Sequence, residues 1–313
     1  MLEHRHRVVI VTPVYEDAPA CATLLRHLGA LFGKSLLVVA VDDGSPRAPL
    51  RLGDIPADAP DTCILRLRRN VGHQQAIATG LHFIAPQLQP HQRLILMDCD
   101  GEDAPASCSM LLAKLESHGD TAIAVAQRAK RSESLKFRAF YVAYKLLFRM
   151  STGRAIDFGN FMVMTPRAAQ TLAKSPWLGT HVAAAALASE LPLLRVPVDR
   201  STRYHGQSKM NFPKLVRHGM KAILVFSKDC RARAKGAFLL AAALCATLAG
   251  GVRVFDFTLP GIMPVIAGVA AVATVLAASM LWMAWLLEHR HKQLPDTSTA
   301  AYTGNTQAVL YTP

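Results

Sequence analysis

Residues 94–103 read Leu-Ile-Leu-Met-Asp-Cys-Asp-Gly-Glu-Asp, an apolar run that ends abruptly in carboxylates. Consecutive apolar residues without polar alternation are typical of a strand that is covered on both faces, as in a parallel sheet. In open α/β sheets, ligands bind beyond the carboxyl ends of such strands. The sequence therefore predicts an α/β fold in which Asp98 and Asp100 leave the sheet where a ligand binds.

Asp98 and Asp100 are candidate metal ligands. Two carboxylates that are two residues apart can share one hard divalent cation, Mg²⁺ or Mn²⁺, while water or a substrate phosphate completes its coordination. A third carboxylate, Asp103, follows in the same loop. The alternative is a solvated acidic turn, which is common after strands, so the choice depends on the rest of the chain.

Short apolar runs alternate with helical patterns from residue 8 to residue 126, which indicates βαβ units. Polar side chains follow several of the predicted strands: Asp17, Asp42, Asp43, Asn70, Asp98, Asp100 and Arg128. This architecture places ligands at that end of the strands, so the repeated pattern favours a site over chance. Asp42 and Asp43 could bind a base and a ribose or could cap the next turn. The G-x-G-x-x-G and G-x-x-x-x-G-K-[ST] nucleotide fingerprints are missing.

Four segments together resemble the successive motifs of family 2 glycosyltransferases with the GT-A fold. They are Pro-Val-Tyr at 13–15, Val-Asp-Asp-Gly-Ser at 41–45, Asn-Val-Gly-His-Gln-Gln-Ala at 70–76 and the acidic loop at 98–103. The sequence looks most like the polyprenyl-phosphate branch, which includes dolichyl-phosphate mannose synthases and bacterial bactoprenol glucosyltransferases, from about residue 8 to residue 228. The usual D-x-D-L-Q-D carries Gly101 and Glu102 here, the usual P-x-Y-N-E carries Glu16 and Asp17, and Asn160 replaces the Asp of a G-D-F motif.

This resemblance implies a Rossmann-like nucleotide-sugar domain and an inverting transfer. By resemblance, the residues that bind the donor nucleotide are Pro13, Tyr15, Asp17, Asp42, Asp43, Asn70 and Asp98. Asp98 and Asp100 would hold the cation and the donor diphosphate. Asp98, Asp100 and Asp103 would be the catalytic set, in which Asp103 could orient the acceptor or a metal-bound water.

Residues 200–209 read Arg-Ser-Thr-Arg-Tyr-His-Gly-Gln-Ser-Lys and look like the R-x-x-G-x-S-K signature of the same branch. Their cations and hydroxyl suit phosphate oxygens, which they would bind through charge-assisted hydrogen bonds. A phosphate monoester is largely dianionic at pH 7, so it needs cationic positioning more than a base. The predicted acceptor-phosphate residues are Arg128, Arg131, Arg203, Ser208 and Lys209.

The formal charge of +13 suits an anionic partner such as an acidic membrane, a phosphorylated substrate or nucleic acid. No zinc spacing or RNA-binding aromatic motif supports nucleic acid, so we expect none. The six cysteines show no metal spacing or disulfide framework and are predicted to be reduced thiols in the cytosol. The predicted partners are a nucleotide sugar, polyprenyl phosphate and membrane lipids, with a homo-oligomer as a further possibility.

Residues 135–150 place basic and aromatic side chains at helical spacing, which is typical of a helix that lies in the membrane interface. A second interfacial helix is predicted over 211–230. The alternative is a packed helix with an ordinary solvated face. Together with residues 1–134 and 151–210, these helices belong to a predicted catalytic domain over residues 1–230.

Residues 231–290 are predicted to form a transmembrane hairpin, with spans at about 236–257 and 261–287. Lys and Arg residues flank both outer ends, so both termini are expected in the cytoplasm, with two spans in the inner membrane. A buried soluble hairpin is the alternative. The polar tail 291–313 is predicted to be disordered.

The sequence therefore predicts a membrane-anchored inverting glycosyltransferase that moves a sugar, with UDP-hexose favoured as donor, to polyprenyl phosphate on the cytoplasmic face. One alternative keeps the chemistry and changes the acceptor to another lipid or a glycan. Another is a catalytically inactive membrane adaptor that uses the fold only for binding.

Overall fold

The computed structural model describes residues 2–128, 135–206, 212–254 and 304–312, together with isolated residues between 267 and 302. The chain divides into two compact units, each described by itself. The first comprises Met1–Ser134, Ile156–His218 and Asp296–Pro313, and the second comprises Leu135–Ala155 and Gly219–Pro295.

An eight-stranded sheet forms the centre of the first unit within the described residues. Its strands are β1 (Val8–Val14), β2 (Leu36–Asp42), β3 (Asp61–Leu67), β4 (Arg93–Leu96), β5 (Ile123–Arg128), β6 (Phe158–Met164), β7 (Leu193–Val198) and β8 (Thr306–Tyr311). They lie in the order β7-β5-β6-β4-β1-β2-β3-β8. The helices are α1 (Ala18–Phe32), α2 (His73–Ile84), α3 (Ser107–Glu116), α4 (Leu135–Thr152), α5 (Pro166–Ala173), α6 (Val182–Ala188), α7 (Phe212–Val225) and α8 (Ser227–Val254).

The sheet is mixed. β3, β2, β1 and β4 are parallel, as the βαβ rhythm predicts, and every residue of β1 and β2 is buried. The α/β class is therefore confirmed. Not every strand is parallel, because β6 lies between β4 and β5 and is antiparallel to both. β6 was not predicted, since Gly159 and Asn160 interrupt its apolar pattern.

Helix α2 lies unusually close to the sheet. A Cβ atom at Gly80 would lie 2.5 Å from Cγ1 of Val11 and 2.8 Å from Cγ2 of Val41. Only glycine allows the helix to approach β1 and β2 this closely. The close approach fixes the start of α2, and with it His73, beside the carboxyl ends of the strands.

The prediction that 291–313 is disordered is wrong for the end of the chain. Thr306–Tyr311 pairs antiparallel with β3, and Leu310 packs against the core. Tyr302, which is 3% exposed, stacks on His82 with ring centroids 4.2 Å apart. The alternation of polar and apolar residues in Thr-Gln-Ala-Val-Leu-Tyr suits a half-covered strand at the side of a sheet.

The second unit contains α4 and α8. Phe148 of α4 is fully buried and meets Phe226 edge-to-face, with centroids 5.8 Å apart. The opposite side of α4 exposes large apolar side chains, namely Val142, Leu146, Leu147 and Met150. The predicted helix at 135–150 is thus a helix with an exposed apolar side.

The predicted spans are only partly described. Residues 236–254 of the first span belong to α8, and most of 261–287 lies outside the described residues. Among the described residues, no helix combines the length and the apolar composition that crossing a membrane requires.

Candidate functional site

The acidic loop that follows β4 is held by its own carboxylates. The N–H of Asp98 donates to Oδ2 of Asp103 at 3.0 Å, and the N–H of Glu102 donates to Oδ1 of Asp100 at 2.9 Å. Asp103 is 8% exposed. In the structure, Asp103 therefore stabilises the conformation of the loop. Its contact with an acceptor stays a prediction.

His73, the first residue of α2, faces Asp98. Its Nε2 lies 3.2 Å from Oδ1 of Asp98 and 3.1 Å from Nδ2 of Asn160. Burial lowers the pKa of His73, but the carboxylates of Asp98, Asp100 and Asp103 outweigh burial and raise the pKa overall. His73 and Asn160 were not predicted as site residues, although both lie within motifs that the sequence singled out.

Two arginines of the segment after β7 contact the acidic loop. Nη2 of Arg203 lies 2.7 Å from Oδ2 of Asp100, and its Nε donates to Oε1 of Glu102 at 3.0 Å. Arg200 forms an ion pair with the other oxygen of Glu102. Arg203 was predicted to bind the acceptor phosphate, and the structure places it on two carboxylates.

The same segment is fixed through its main chain. The N–H of Tyr204 donates to the carbonyl oxygen of Asp100 at 2.8 Å, and that of Ser201 donates to the carbonyl oxygen of Glu102 at 3.1 Å. The hydroxyl of Tyr204 lies 3.0 Å from Nδ1 of His27 on α1. Gly101 has φ +93°, and a Cβ there would lie 2.8 Å from Cγ of Tyr204. We call residues 200–206 the clasp.

Asp42 and Asp43 bind main-chain groups at the end of β2. Asp42 is 0% exposed, and its oxygens accept the N–H of Ser45 at 3.0 Å and that of Leu50 at 3.1 Å. Asp43 accepts the N–H groups of Val71 at 2.7 Å and of Gly72 at 3.0 Å. These contacts match the turn-capping alternative, and the nucleoside contacts of both residues stay predictions.

Two carboxyls of the site have perturbed acidity. Burial raises the pKa of Asp43 to about 6, against the main-chain donors that favour its anion. Burial and then the nearby charge of Asp98 raise the pKa of Asp100 to about 6, against the arginines Arg203 and Arg200. Perturbed carboxyls of this kind concentrate at functional sites.

The other predicted donor residues lie close to the same ends of the strands. Pro13 is buried in β1, Tyr15 directly after it is 39% exposed, and Asp17 precedes α1. The N–H of Asp43 donates to the carbonyl oxygen of Val14 at 2.8 Å, which joins the ends of β1 and β2. Asn70 is exposed in the loop before α2.

Most of the predicted acceptor residues cannot be placed. Arg131, Ser208 and Lys209 lie outside the described residues, and Arg128 is the last residue of β5. The sequence missed Arg200, Glu102 and Tyr204, although all three stand in segments that it had assigned to the site.

The side chains of the acidic loop supply only some of the ligands that a divalent cation needs. Among the described residues, no three His, Cys, Asp or Glu side chains converge as a metal cage. Mg²⁺ and similar hard cations, however, are often bound through one or two carboxylates together with substrate phosphates. Asp98 faces the imidazole of His73, whose pKa it raises, and Asp100 pairs with the guanidinium of Arg203, so both carboxylates lie in positions where positive charge is stabilised. These two residues fit a cation that arrives with a diphosphate.

A family model described as glycosyl transferase family 2 matches residues 9–174, which is more than half of the chain. The chain is 26% identical over 222 residues to the undecaprenyl-phosphate 4-deoxy-4-formamido-L-arabinose transferase of Enterobacter sp. (strain 638), covering 69% of this chain and 66% of that protein. It is 24% identical to the protein of the same description in Edwardsiella ictaluri (strain 93-146), covering 67% and 64%. The chain thus spans slightly less than two thirds of the length of these relatives.

A solved structure shows the same fold at low identity. Glucosyl-3-phosphoglycerate synthase from Mycobacterium tuberculosis, in complex with Mn²⁺, uridine diphosphate and phosphoglyceric acid, superposes with a TM-score of 0.52 and 11% identity. The superposition covers 72% of this chain and 78% of that protein. It confirms the α/β architecture of the fold.

Proposed function

The chain belongs to glycosyl transferase family 2, as its motifs predict, and we propose that it transfers a sugar from a nucleotide diphosphate sugar to polyprenyl phosphate, with inversion at the sugar carbon. The observation that carries this proposal is the pairing of the acidic loop with the clasp, since Asp100 and Arg203 are 2.7 Å apart. This contact places the candidate cation ligands of the acidic loop beside the candidate phosphate-binding arginines of the clasp. Similarity to undecaprenyl-phosphate transferases supports the acceptor class.

The donor would bind at the carboxyl ends of β1, β2 and β4. Tyr15 is exposed there, and Asp43 fixes the loop that carries Val71 and Gly72. We infer a UDP-hexose as donor. The pentose named in the relatives makes a nucleotide-linked 4-amino-pentose derivative the second donor class to test.

Asp98 and Asp100 would hold a divalent cation, Mg²⁺ or Mn²⁺. When bound, such a cation neutralises the charge that develops on a leaving diphosphate. His73 positions Asp98, and Asp103 holds the main chain of Asp98 in place. These contacts keep the first carboxylate of the loop oriented before any ligand enters.

The acceptor phosphate needs no base, because it is largely dianionic at neutral pH. Arg200 and Arg203 are 34% and 23% exposed, so both guanidinium groups can reach a ligand from the surface of the first unit. Guanidinium groups bind phosphate oxygens through paired charge-assisted hydrogen bonds. We assign to the clasp the role of orienting phosphate beside the cation.

We further propose attachment to the inner membrane, with both termini cytoplasmic. The exposed apolar side chains of α4 and the uncharged segments 236–252 and 257–287 support it. The pairing of β8 with β3 also supports it, because the chain returns to the sheet of the first unit after residue 295. Any crossings within 231–295 would then be even in number.

A transfer assay with the full chain in nanodiscs tests this function. Labelled UDP-glucose, UDP-galactose, UDP-N-acetylglucosamine, GDP-mannose and a nucleotide-linked 4-amino-pentose derivative are each offered with undecaprenyl phosphate, with and without EDTA. The proposal expects a labelled lipid with one donor and its loss with EDTA. Hydrolysis of the donor without a labelled lipid would redirect the search to another acceptor. If neither a labelled lipid nor hydrolysis were detected, the result would favour an inactive adaptor.

A further inference from the structure

Both carboxylate oxygens of Asp100 already have partners. Oδ1 accepts the N–H of Glu102 at 2.9 Å, and Oδ2 lies 2.7 Å from Nη2 of Arg203. The side chain of Asp100 is only 13% exposed, so little room is left for a third partner. Each carboxylate oxygen can accept two contacts, but a divalent cation on Asp100 would lie directly against the guanidinium charge of Arg203, and the two positive charges repel each other. A cation that uses Asp100 as a ligand is therefore expected to replace Arg203 there.

The two partners differ in how readily they can leave. The N–H of Glu102 belongs to the acidic loop itself and cannot leave without reshaping it. The guanidinium of Arg203 stands on a flexible side chain that is 23% exposed. The clasp also stays attached without this contact, since its main-chain bonds from Tyr204 to Asp100 and from Ser201 to Glu102 are independent of it.

Glu102 would keep a displaced arginine nearby. Oε1 of Glu102 accepts from Nε of Arg203 at 3.0 Å, and the second oxygen pairs with Arg200. When Nη2 leaves Asp100, the hydrogen bond from Nε to Glu102 can persist. The guanidinium can then rotate so that its Nη groups face solvent. These groups can then meet a phosphate oxygen, which arginine binds well.

We propose that Arg203 is the internal counter-cation of Asp100, that a divalent cation binds only by displacing it, and that Glu102 retains the displaced guanidinium where it can bind the acceptor phosphate. Arg203 and Glu102 are thus positioning residues for the cation and the acceptor. The acceptor phosphate as ligand rests on the proposed function, whereas the exchange at Asp100 stands without it.

Binding of Mn²⁺ alone to the purified full chain tests the exchange, with free Mn²⁺ measured by electron paramagnetic resonance. Arg203→Gln should tighten Mn²⁺ binding about tenfold, the factor that one charge-assisted hydrogen bond represents. Arg200→Gln is the matched control, because it also removes a guanidinium that pairs with Glu102, but this guanidinium does not pair with Asp100. This variant should change binding by less than about threefold. Equal effects of the two variants, or no tightening in Arg203→Gln, would overturn the exchange.

If the Arg203→Gln variant does not fold, Arg203→Lys tests the same exchange. A lysine keeps the charge but lacks the planar fork that spans Asp100 and Glu102, so Mn²⁺ should bind about threefold more tightly. Unchanged binding in that variant would also count against the proposal. Tighter Mn²⁺ binding without any labelled lipid would leave the exchange standing while the proposed function falls, so the two failures can be told apart.

Discussion

Nε2 of His73 lies 3.2 Å from Oδ1 of Asp98, so an imidazole at the start of α2 faces the first carboxylate after β4. The two residues are far apart in the sequence and meet because α2 packs closely on β1 and β2 through Gly80. The contact connects the first residue of α2 with the acidic loop, which would bind the cation.

The His73–Asp98 pair makes stability depend on pH. The raised pKa of His73 means that the folded protein favours the imidazolium. Its contribution is fully present below the ordinary pKa of about 6.5 and is lost as pH rises through the higher folded value. The side chains are 45% and 28% exposed, so we expect His73→Ala to cost about 0.5–1 kcal/mol at low pH.

That loss corresponds to a fall of about 1–3 °C in the thermal unfolding midpoint near pH 5.5, and to almost none near pH 8.5. His118→Ala, at an exposed histidine after α3, is the control for loss of a histidine side chain. An equal loss for His73→Ala at both pH values would contradict the ion pair.

Gly101→Ala should damage the site as well as the fold. Its φ of +93° disfavours any side chain, and the new Cβ would lie 2.8 Å from the ring of Tyr204. We expect a loss of about 1–3 kcal/mol in unfolding free energy and displacement of the clasp from the acidic loop. Gly33→Ala is the matched control, because Gly33 also has a positive φ, +53°, and a Cβ there would meet nothing within 4 Å. Denaturant unfolding checks both, and equal stability of the two variants would refute the contact.

Removal of residues 304–313 should expose β3. The N–H of Arg68 donates to the carbonyl oxygen of Asn305 at 2.9 Å, and the N–H of Thr62 donates to the hydroxyl of Thr312 at 2.9 Å. Hydrogen exchange of a peptide over 61–68 should therefore rise in the truncated protein. A peptide over 93–96 is the internal control, because β4 keeps its neighbours β1 and β6. Unchanged exchange over 61–68 would mean that β8 does not pair in solution.

The exposed side of α4 should contact lipid. We expect a fluorophore on Leu146→Cys, in a Cys230→Ser and Cys245→Ser background, to be quenched by nitroxide lipids in nanodiscs. The same label on Met110→Cys is the control, since Met110 is 50% exposed on α3 and Leu146 is 58% exposed. Interfacial helices bury their apolar side just beneath the headgroups. Equal quenching at the two positions would contradict the interfacial role of α4.

Much of the fold followed from local patterns. The apolar runs before Asp42 and Asp98 are strands, and their polar ends meet because parallel strands share direction. β6 and β8 were not predicted, since each is stabilised mainly by antiparallel partners that are distant in sequence. A glycine and an asparagine within β6 further concealed it from pattern analysis.

The sequence predicted several residues of the site but not the groups to which they bond. The sequence marked Arg203 as a cation for phosphate, and nothing local indicates that it bonds to Asp100 and Glu102, about a hundred residues earlier. Likewise, Asp42 and Asp43 stand where predicted, but only the structure shows that their oxygens bind main-chain N–H groups of their own and the next loop. Contacts of this kind depend on tertiary proximity, which spacing does not encode.

The most direct test of the central claim compares the wild type with Asp100→Asn in transfer of labelled sugar to undecaprenyl phosphate. Asn keeps the shape of the side chain and removes the charge that a cation and Arg203 require. We predict that the wild type forms a labelled lipid and that the rate of Asp100→Asn falls at least about a hundredfold, with an unchanged unfolding midpoint as the control. Equal transfer by the two proteins would contradict the assignment of the acidic loop as the catalytic centre.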